Sequence, residues 1–371
     1  MKILILSANP FTRNGVSNVI FNYLDFMDMN GLAIDVVSMC TPDPSYEKIM
    51  EDKGVDCFVI PRTSKSIIKR WYAIYKLIKE RKYDAIHLHC NSHTAVFELS
   101  AAWAAGCKVR IVHSHSTKCN LPRIHKLLTP MFNRLCTHGI ACGKEAGLWM
   151  FDKKPFLIMK NGVNTELYGF KTEKRKKYRE KLGFAADNIV IGHVGGFYNI
   201  KNHKFLVEIF SHLHNQNSLY RLLLVGDGEL RLEIESQIRN LGLDNCVKLT
   251  GRVQDVHNYL NAMDIIVMPS LFEGLPLALI EQQTNGLRCI VSDTVSSEAN
   301  VTGNIHFVSL DSSAKDWASI INDTVFANCR AISRESMSQD SIKSIKDNGY
   351  SIREEANKLK TFYIKSIAVD C

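Results

Sequence analysis

At 371 residues the chain exceeds one ordinary hydrophobic core and fits two domains of roughly 150 to 200 residues. No apolar run reaches about 18 residues and no signal-peptide pattern opens the chain, so a cytoplasmic protein is expected; eleven scattered cysteines without a C-x-x-C pair read as reduced thiols rather than a disulfide framework or zinc site. The net charge of +8 splits into +13 over residues 1–185 (29 Lys+Arg against 16 Asp+Glu) and −5 over residues 186–371 (17 against 22), so the first half suits an anionic partner and the second does not.

Short apolar runs alternate with amphipathic segments, the pattern of parallel sheets covered by helices. In the first half strands are expected near 2–7, 33–38, 56–60, 85–89, 109–113, 139–142 and 156–159. Between the first two, Val16, Val19, Ile20, Tyr23, Leu24 and Met27 follow the 3.6-residue period of a helix with one apolar face. Gly15 opens that helix, and amides at a helix N-terminus with no side chain in the way suit a phosphate; the alternative is a plain turn. His87 and His89, then His113 and His115, form two H-x-H pairs at strand ends. Period-two spacing puts each pair on one side of its strand, which permits a metal; packed strand-end histidine is the preferred reading for the first three.

Two basic segments, Ser66 to Lys82 and Leu121 to Arg134, mix Lys and Arg with Trp, Tyr and Leu. They read either as peripheral membrane helices or as solvated faces over a sheet. The charged run 171–187 follows, and the domain boundary is placed there. The expected division is 1–170, a linker 171–187, 188–348, and a C-terminal helix 349–371 that is a candidate to cross back to the first domain.

The second half repeats the pattern, with strands near 189–194, 220–225, 247–250, 264–268, 288–292 and 305–308. The segment IGHVGGFYNIKNHKF places Gly195 and Gly196 at a strand end and Lys201 in the loop before a helix, where a lysine either meets a phosphate or is merely solvated. In PSLFEGLPLALIEQQTNG a strand ends at Pro269 and Ser270, Glu273 follows in a Gly/Pro loop, and Glu281 lies on the next helix. A loop carboxylate beside helix N-terminal amides can hold sugar hydroxyls, and one on the helix can accept both hydroxyls of a ribose; the alternative is a capping Glu273 and a solvated Glu281.

With these stretches the chain resembles the retaining GT-B glycosyltransferases of family GT4, particularly bacterial capsular and exopolysaccharide enzymes. The resemblance also covers VHSHS, KNGVNTELY at 160–168, LLLVGDGELR, LTGRVQDV and GLRCIVSD. It implies an α/β fold with two Rossmann-like domains facing across a cleft. It implies catalytic roles for His115, Lys201 and Glu273: Glu273 on donor-sugar hydroxyls with the amides of Gly274 and Leu275, Lys201 on the diphosphate, His115 beside the transferred sugar. Glu281 would bind the ribose, Gly15 would approach the diphosphate, Arg252 would border the base, and Asn161 would lie near the cleft. Gly195 and Gly196 complete the donor-binding set, although the family usually has arginine at the second. Asn14 stands where a glycine is common, Gln282 where a small residue is usual, and Arg13 is a candidate replacement cation.

The expected reaction is transfer of a hexose or N-acetylhexosamine from a nucleotide diphosphate sugar, with a UDP-sugar as the expected donor, to a glycan or lipid-linked oligosaccharide. No metal or cofactor is expected, since D-x-D is absent, and no nucleic acid, since no binding module is recognisable. Peripheral contact with an anionic membrane fits the basic half. The alternatives are a nucleotide-sugar epimerase on the same fold and a non-catalytic partner subunit.

Overall fold

The computed structural model describes residues 1–12, 14–61, 67–326 and 333–370, which form two compact units, Met1–Gly162 with Gly349–Cys371, and Val163–Asn348. Arg13 and Ser66 lie outside the described residues.

The first unit holds a seven-stranded parallel sheet of β1 (Lys2–Ser7), β2 (Ala33–Ser38), β3 (Cys57–Val59), β4 (Ala85–His89), β5 (Val109–Ser114), β6 (His138–Ala141) and β7 (Leu157–Ile158). Its order is β3-β2-β1-β4-β5-β6-β7. Every residue of β4 and β5 is buried, as a parallel sheet covered on both faces requires. The helix Gly15–Phe26 begins with Asn14 as its N-cap, whose Oδ1 accepts from Ser17 N at 3.0 Å, so asparagine at 14 has a local structural role. Its buried face contains Val19, Ile20, Tyr23 and Leu24 as the periodicity predicts, together with Phe21.

The helix Ile352–Asp370 belongs to this first unit. Glu355 Oε2 accepts from Lys160 N at 2.9 Å, Lys358 Nζ donates to Ile158 O at 2.7 Å, and Lys360 pairs with Asp28 at 2.6 Å. Gly162 explains how closely the returning chain packs: a Cβ there would lie 2.5 Å from Ile352 Cα.

The second unit holds a six-stranded parallel sheet of β8 (Ile189–Val194), β9 (Tyr220–Val225), β10 (Val247–Leu249), β11 (Ile265–Met268), β12 (Arg288–Ser292) and β13 (Ile305–Val308), in the order β10-β9-β8-β11-β12-β13. The division between units falls at Gly162 and Val163, ahead of the expected 171–187 linker. That charged run is instead largely a helix, Thr172–Leu182, inside the second unit. Arg175 and Arg179 pair with Asp264 at 2.5 and 3.2 Å, so charges that read as a solvated linker secure the helix to the sheet. The basic segment 121–134 also differs from a single helix: it forms Pro122–Leu127 and then Thr129–Leu135, each with a proline in its first turn.

Candidate active site

In an open parallel sheet the order reverses at one point, and the loops leaving the carboxyl ends of the strands there diverge to leave a crevice. In the second unit that point lies between β8 and β11. Lys201 comes from the loop after β8 and Glu273 from the loop after β11, and their side chains form an ion pair there, each largely shielded from solvent. The lysine stem lies over Gly195, where a Cβ would stand 3.4 Å from Lys201 Cε. Leu271 N donates to Ile200 O at 2.8 Å, binding the two loops together, and Ser296 N donates to Glu273 O at 3.4 Å.

Glu273 precedes the helix Leu277–Thr284. Among the described residues the amides of Gly274 and Leu275 find no acceptor, and a Cβ at Gly274 would meet nothing within 4 Å, so this loop offers donors and open space. Glu281 lies one turn into the helix and is partly buried. Burial pushes its carboxyl up to about 7, opposed by a hydrogen bond from the Tyr168 hydroxyl.

Backbone packing fixes the neighbouring glycine loops. Gly226 has φ +146, and a Cβ there would lie 2.0 Å from Gly195 O; a Cβ at Gly228 would meet the backbone of Phe197 at 2.6 Å. The two glycine loops therefore touch backbone to backbone, which only glycine permits. Gly226 N also donates to Gly251 O at 3.1 Å, bringing the Gly251–Arg252 loop to the same edge, with Arg252 exposed. Gly196 lies beside Tyr198, whose ring carbon is 2.5 Å from where a Cβ would be.

In the first unit the switch point lies between β1 and β4. Gly15 follows the loop after β1, and a Cβ there would meet nothing within 4 Å. His115 follows β5; its backbone N donates to Asn91 Oδ1 at 2.8 Å and its Nε2 lies 2.8 Å from His89 Nδ1. Burial lowers its imidazole to about 4, so the ring is uncharged at neutral pH. Asn161 lies at the end of this unit, and its Oδ1 is buried without a partner among the described residues.

The structure thus joins Lys201 with Glu273 directly and groups Gly195, Gly196 and Gly251 around one strand edge. It also gives roles to residues that the sequence analysis left without one. Tyr168 holds Glu281; its motif, KNGVNTELY, was visible, but its partner is remote in sequence. His193 and His203 lie behind Lys201, buried and with ring centroids 4.6 Å apart, and burial lowers them to about 4 and about 2. Arg231 pairs with Asp227 at 3.4 Å and Glu235 at 2.8 Å beside Gly251.

Comparison with known proteins identifies the family. Residues 13–167 match the model described as Glycosyltransferase Family 4, and residues 188–325 the one described as Glycosyl transferases group 1. EpsF of Bacillus subtilis (strain 168) is 31% identical over 83% of this chain and 84% of its own. The UDP-Gal:alpha-D-GlcNAc-diphosphoundecaprenol alpha-1,3-galactosyltransferase of Escherichia coli is 28% identical over 85% of each. The crystal structure of Anabaena HepE in complex with UDP superposes with a TM-score of 0.79 at 18% identity, covering 98% of this chain and all of that one, which shows the GT-B fold. The chain belongs to glycosyltransferase family 4, and it is a glycosyltransferase.

Proposed function

We propose that the chain transfers a hexose or N-acetylhexosamine, with retention, from a UDP-sugar to a glycan or lipid-linked oligosaccharide acceptor in polysaccharide biosynthesis. The observation that carries the reading is the Lys201–Glu273 pair at the switch point of the second sheet, with Glu281 on the helix that follows. The pair sets one cation and one anion side by side, matching a donor whose diphosphate and sugar hydroxyls are adjacent. HepE was crystallised in complex with UDP, and the Escherichia coli relative is named for a UDP-Gal donor and a diphosphoundecaprenol acceptor.

Departure of UDP concentrates negative charge on the diphosphate. Lys201 and the helix amides after Gly15 meet it without a metal, and fixed donors of this kind contribute about 3 kcal/mol each to the transition state. Glu273, with the amides of Gly274 and Leu275, holds the sugar hydroxyls. Glu281 accepts from the ribose, and uncharged His115 stands beside the transferred sugar as a hydrogen-bonding group. The leaving phosphate takes the acceptor proton in a front-face attack, so no second carboxylate is placed as a nucleophile.

Exposed basic and apolar residues favour contact with an anionic membrane, which suits a lipid-linked acceptor. The helix Ile67–Arg81 exposes Ile68 (82%) and Tyr72 (58%) beside Lys69, Lys76 and Lys79, and Leu121 and Leu127 are exposed on the second basic segment. Among the described residues no helix is long and apolar enough to cross a membrane. The test is transfer or slow donor hydrolysis with a panel of nucleotide sugars, with and without EDTA. Turnover of a UDP-sugar that survives EDTA is expected; a strict Mg²⁺ or Mn²⁺ requirement, or turnover with no nucleotide sugar, overturns the reading.

A further inference from the structure

We propose that His87, His89 and His113 form a binding site for one divalent transition ion of the Zn²⁺ class, buried in the first unit. His87 and His89 are two apart on β4, so their side chains leave the same face, and β4 pairs with β5 in a register that sets His89 opposite His113. All three rings meet above two adjacent strands. Their centroids are 4.3 Å (His87–His89), 4.9 Å (His89–His113) and 5.4 Å (His87–His113) apart. One nitrogen from each lies within 4.8 Å of the others, the one such group of three or more ligating side chains among the described residues.

Packing does not account for this cluster. His87 Nε2 and both ring nitrogens of His113 are buried without a partner among the described residues, and such atoms are costly to leave unpaired in a core. An ion between them supplies the missing partner. The hydrogen bonds that do exist engage one nitrogen on each of two ligands: His87 Nδ1 lies 2.6 Å from Tyr363 OH, and His89 Nδ1 lies 2.8 Å from His115 Nε2. Bonds of this kind fix the tautomer and point the other nitrogen inward.

The donor set selects the ion. Burial depresses all three imidazoles, His87 to about 3, which keeps them in the neutral form that ligates. Imidazole suits Zn²⁺, Cu²⁺ and Ni²⁺, whereas Mg²⁺ and Ca²⁺ require oxygen ligands. Nitrogens bound to Zn²⁺ at about 2.0 to 2.1 Å stand roughly 3.4 Å from one another, so each ring would move inward by about 1 Å or less. A bound ion would link β4 to β5 and, through Tyr363, to the helix Ile352–Asp370.

The full-length protein, stripped with a chelator and dialysed, is titrated with Co²⁺ followed by visible absorption, and Zn²⁺ is then added in competition. One equivalent is expected, with a rise in melting temperature. His113→Gln should weaken binding at least 100-fold, and Tyr363→Phe, which removes only a hydroxyl from the tautomer-fixing contact, about tenfold. His306→Gln, on β13 of the second unit, should leave affinity unchanged. Failure of the wild-type protein to take up one equivalent overturns the proposal. So does uptake that neither His113→Gln nor, if that variant does not fold, Tyr363→Phe weakens.

Discussion

The carboxyl edge of the second sheet carries ions, and the corresponding edge of the first carries uncharged imidazoles. Yet the first six strands of the first sheet and the six of the second run in one order. Near the second switch point lie Lys201, Glu273 and Glu281; near the first lie Gly15 and the column from His87 to His115. One topology therefore supplies two crevices, and the loops decide the chemistry. In the second unit, a largely shielded ion pair stands at the strand ends and glycine backbones pack beside it. In the first, polar atoms lie deep between strands, where burial removes their charge.

That contrast is broken most directly at Glu273. Glu273→Ala should lower kcat on the order of 100-fold, about 2 to 4 kcal/mol, because it removes a charged partner of the reacting sugar. Affinity for free UDP should hold or tighten, since Lys201 loses its carboxylate partner and faces the diphosphate alone. Initial rates and calorimetric UDP titration, on a variant shown to be folded by circular dichroism, test both halves. Unchanged rates would place the reacting sugar elsewhere.

The glycines divide in the same way. Gly226→Ala forces a Cβ to 2.0 Å from Gly195 O at φ +146, so it should destabilise the second unit by about 2 kcal/mol or more, read as a fall in melting temperature. Gly15→Ala meets nothing within 4 Å and should leave melting unchanged while lowering transfer several-fold, because only a bound phosphate would feel the methyl. A melting loss at Gly15, or none at Gly226, would invert their assigned roles.

Glu281 tests charge against burial. A carboxyl whose folded pKa is raised to about 7 contributes stability that is present at low pH and lost as pH rises through 7. Glu281→Gln removes that loss, so its unfolding free energy should gain on wild type as pH rises from about 4.5 to 7, by about 3 kcal/mol at most, and the gain should level off above pH 7. UDP affinity should move the other way: the ribose favours the carboxylate, so wild-type binding should weaken as pH falls from 8 to 6, while the weaker binding of Glu281→Gln should stay flat. Parallel pH profiles in wild type and variant would remove Glu281 from the ribose.

All thirteen strands were legible as short apolar runs, because a doubly covered parallel sheet demands them. Lys201 and Glu273 were legible as types in loops, yet 72 residues separate them, and only the strand order brings them together. Distance in sequence also hid Tyr168 on Glu281. The helix Thr172–Leu182 was misread as a linker because its charges, taken alone, resemble a solvated run; Asp264, which holds them, comes more than 80 residues later. The unpaired nitrogens of His113 were not legible at all, since burial and register decide them.

The smallest expected effect concerns Gly196, where the family usually carries arginine. The space a side chain would enter is taken by Tyr198, whose ring lies 2.5 Å from the Cβ position, but that ring is 45% exposed and attached to a flexible side chain. Its collision with a new residue is therefore relieved by rotation, unlike the backbone collision at Gly226. Asp227 O, 3.4 Å from the same point, is ordinary van der Waals contact. Gly196→Arg should thus fold with little loss, and a second cation near the diphosphate should tighten UDP binding by roughly threefold to tenfold, about 1 kcal/mol, the scale of one charge-assisted hydrogen bond partly exposed to solvent. Tyr198→Ala alone should leave affinity nearly unchanged, and the double variant should exceed Gly196→Arg if the ring obstructs the guanidinium. The gain should shrink as salt is raised, because screening weakens an exposed charge pair. Weaker UDP binding in both the single and double variants, with melting intact, would show that the diphosphate needs the open backbone at Gly196 and that Lys201 with the loop amides already completes its charge.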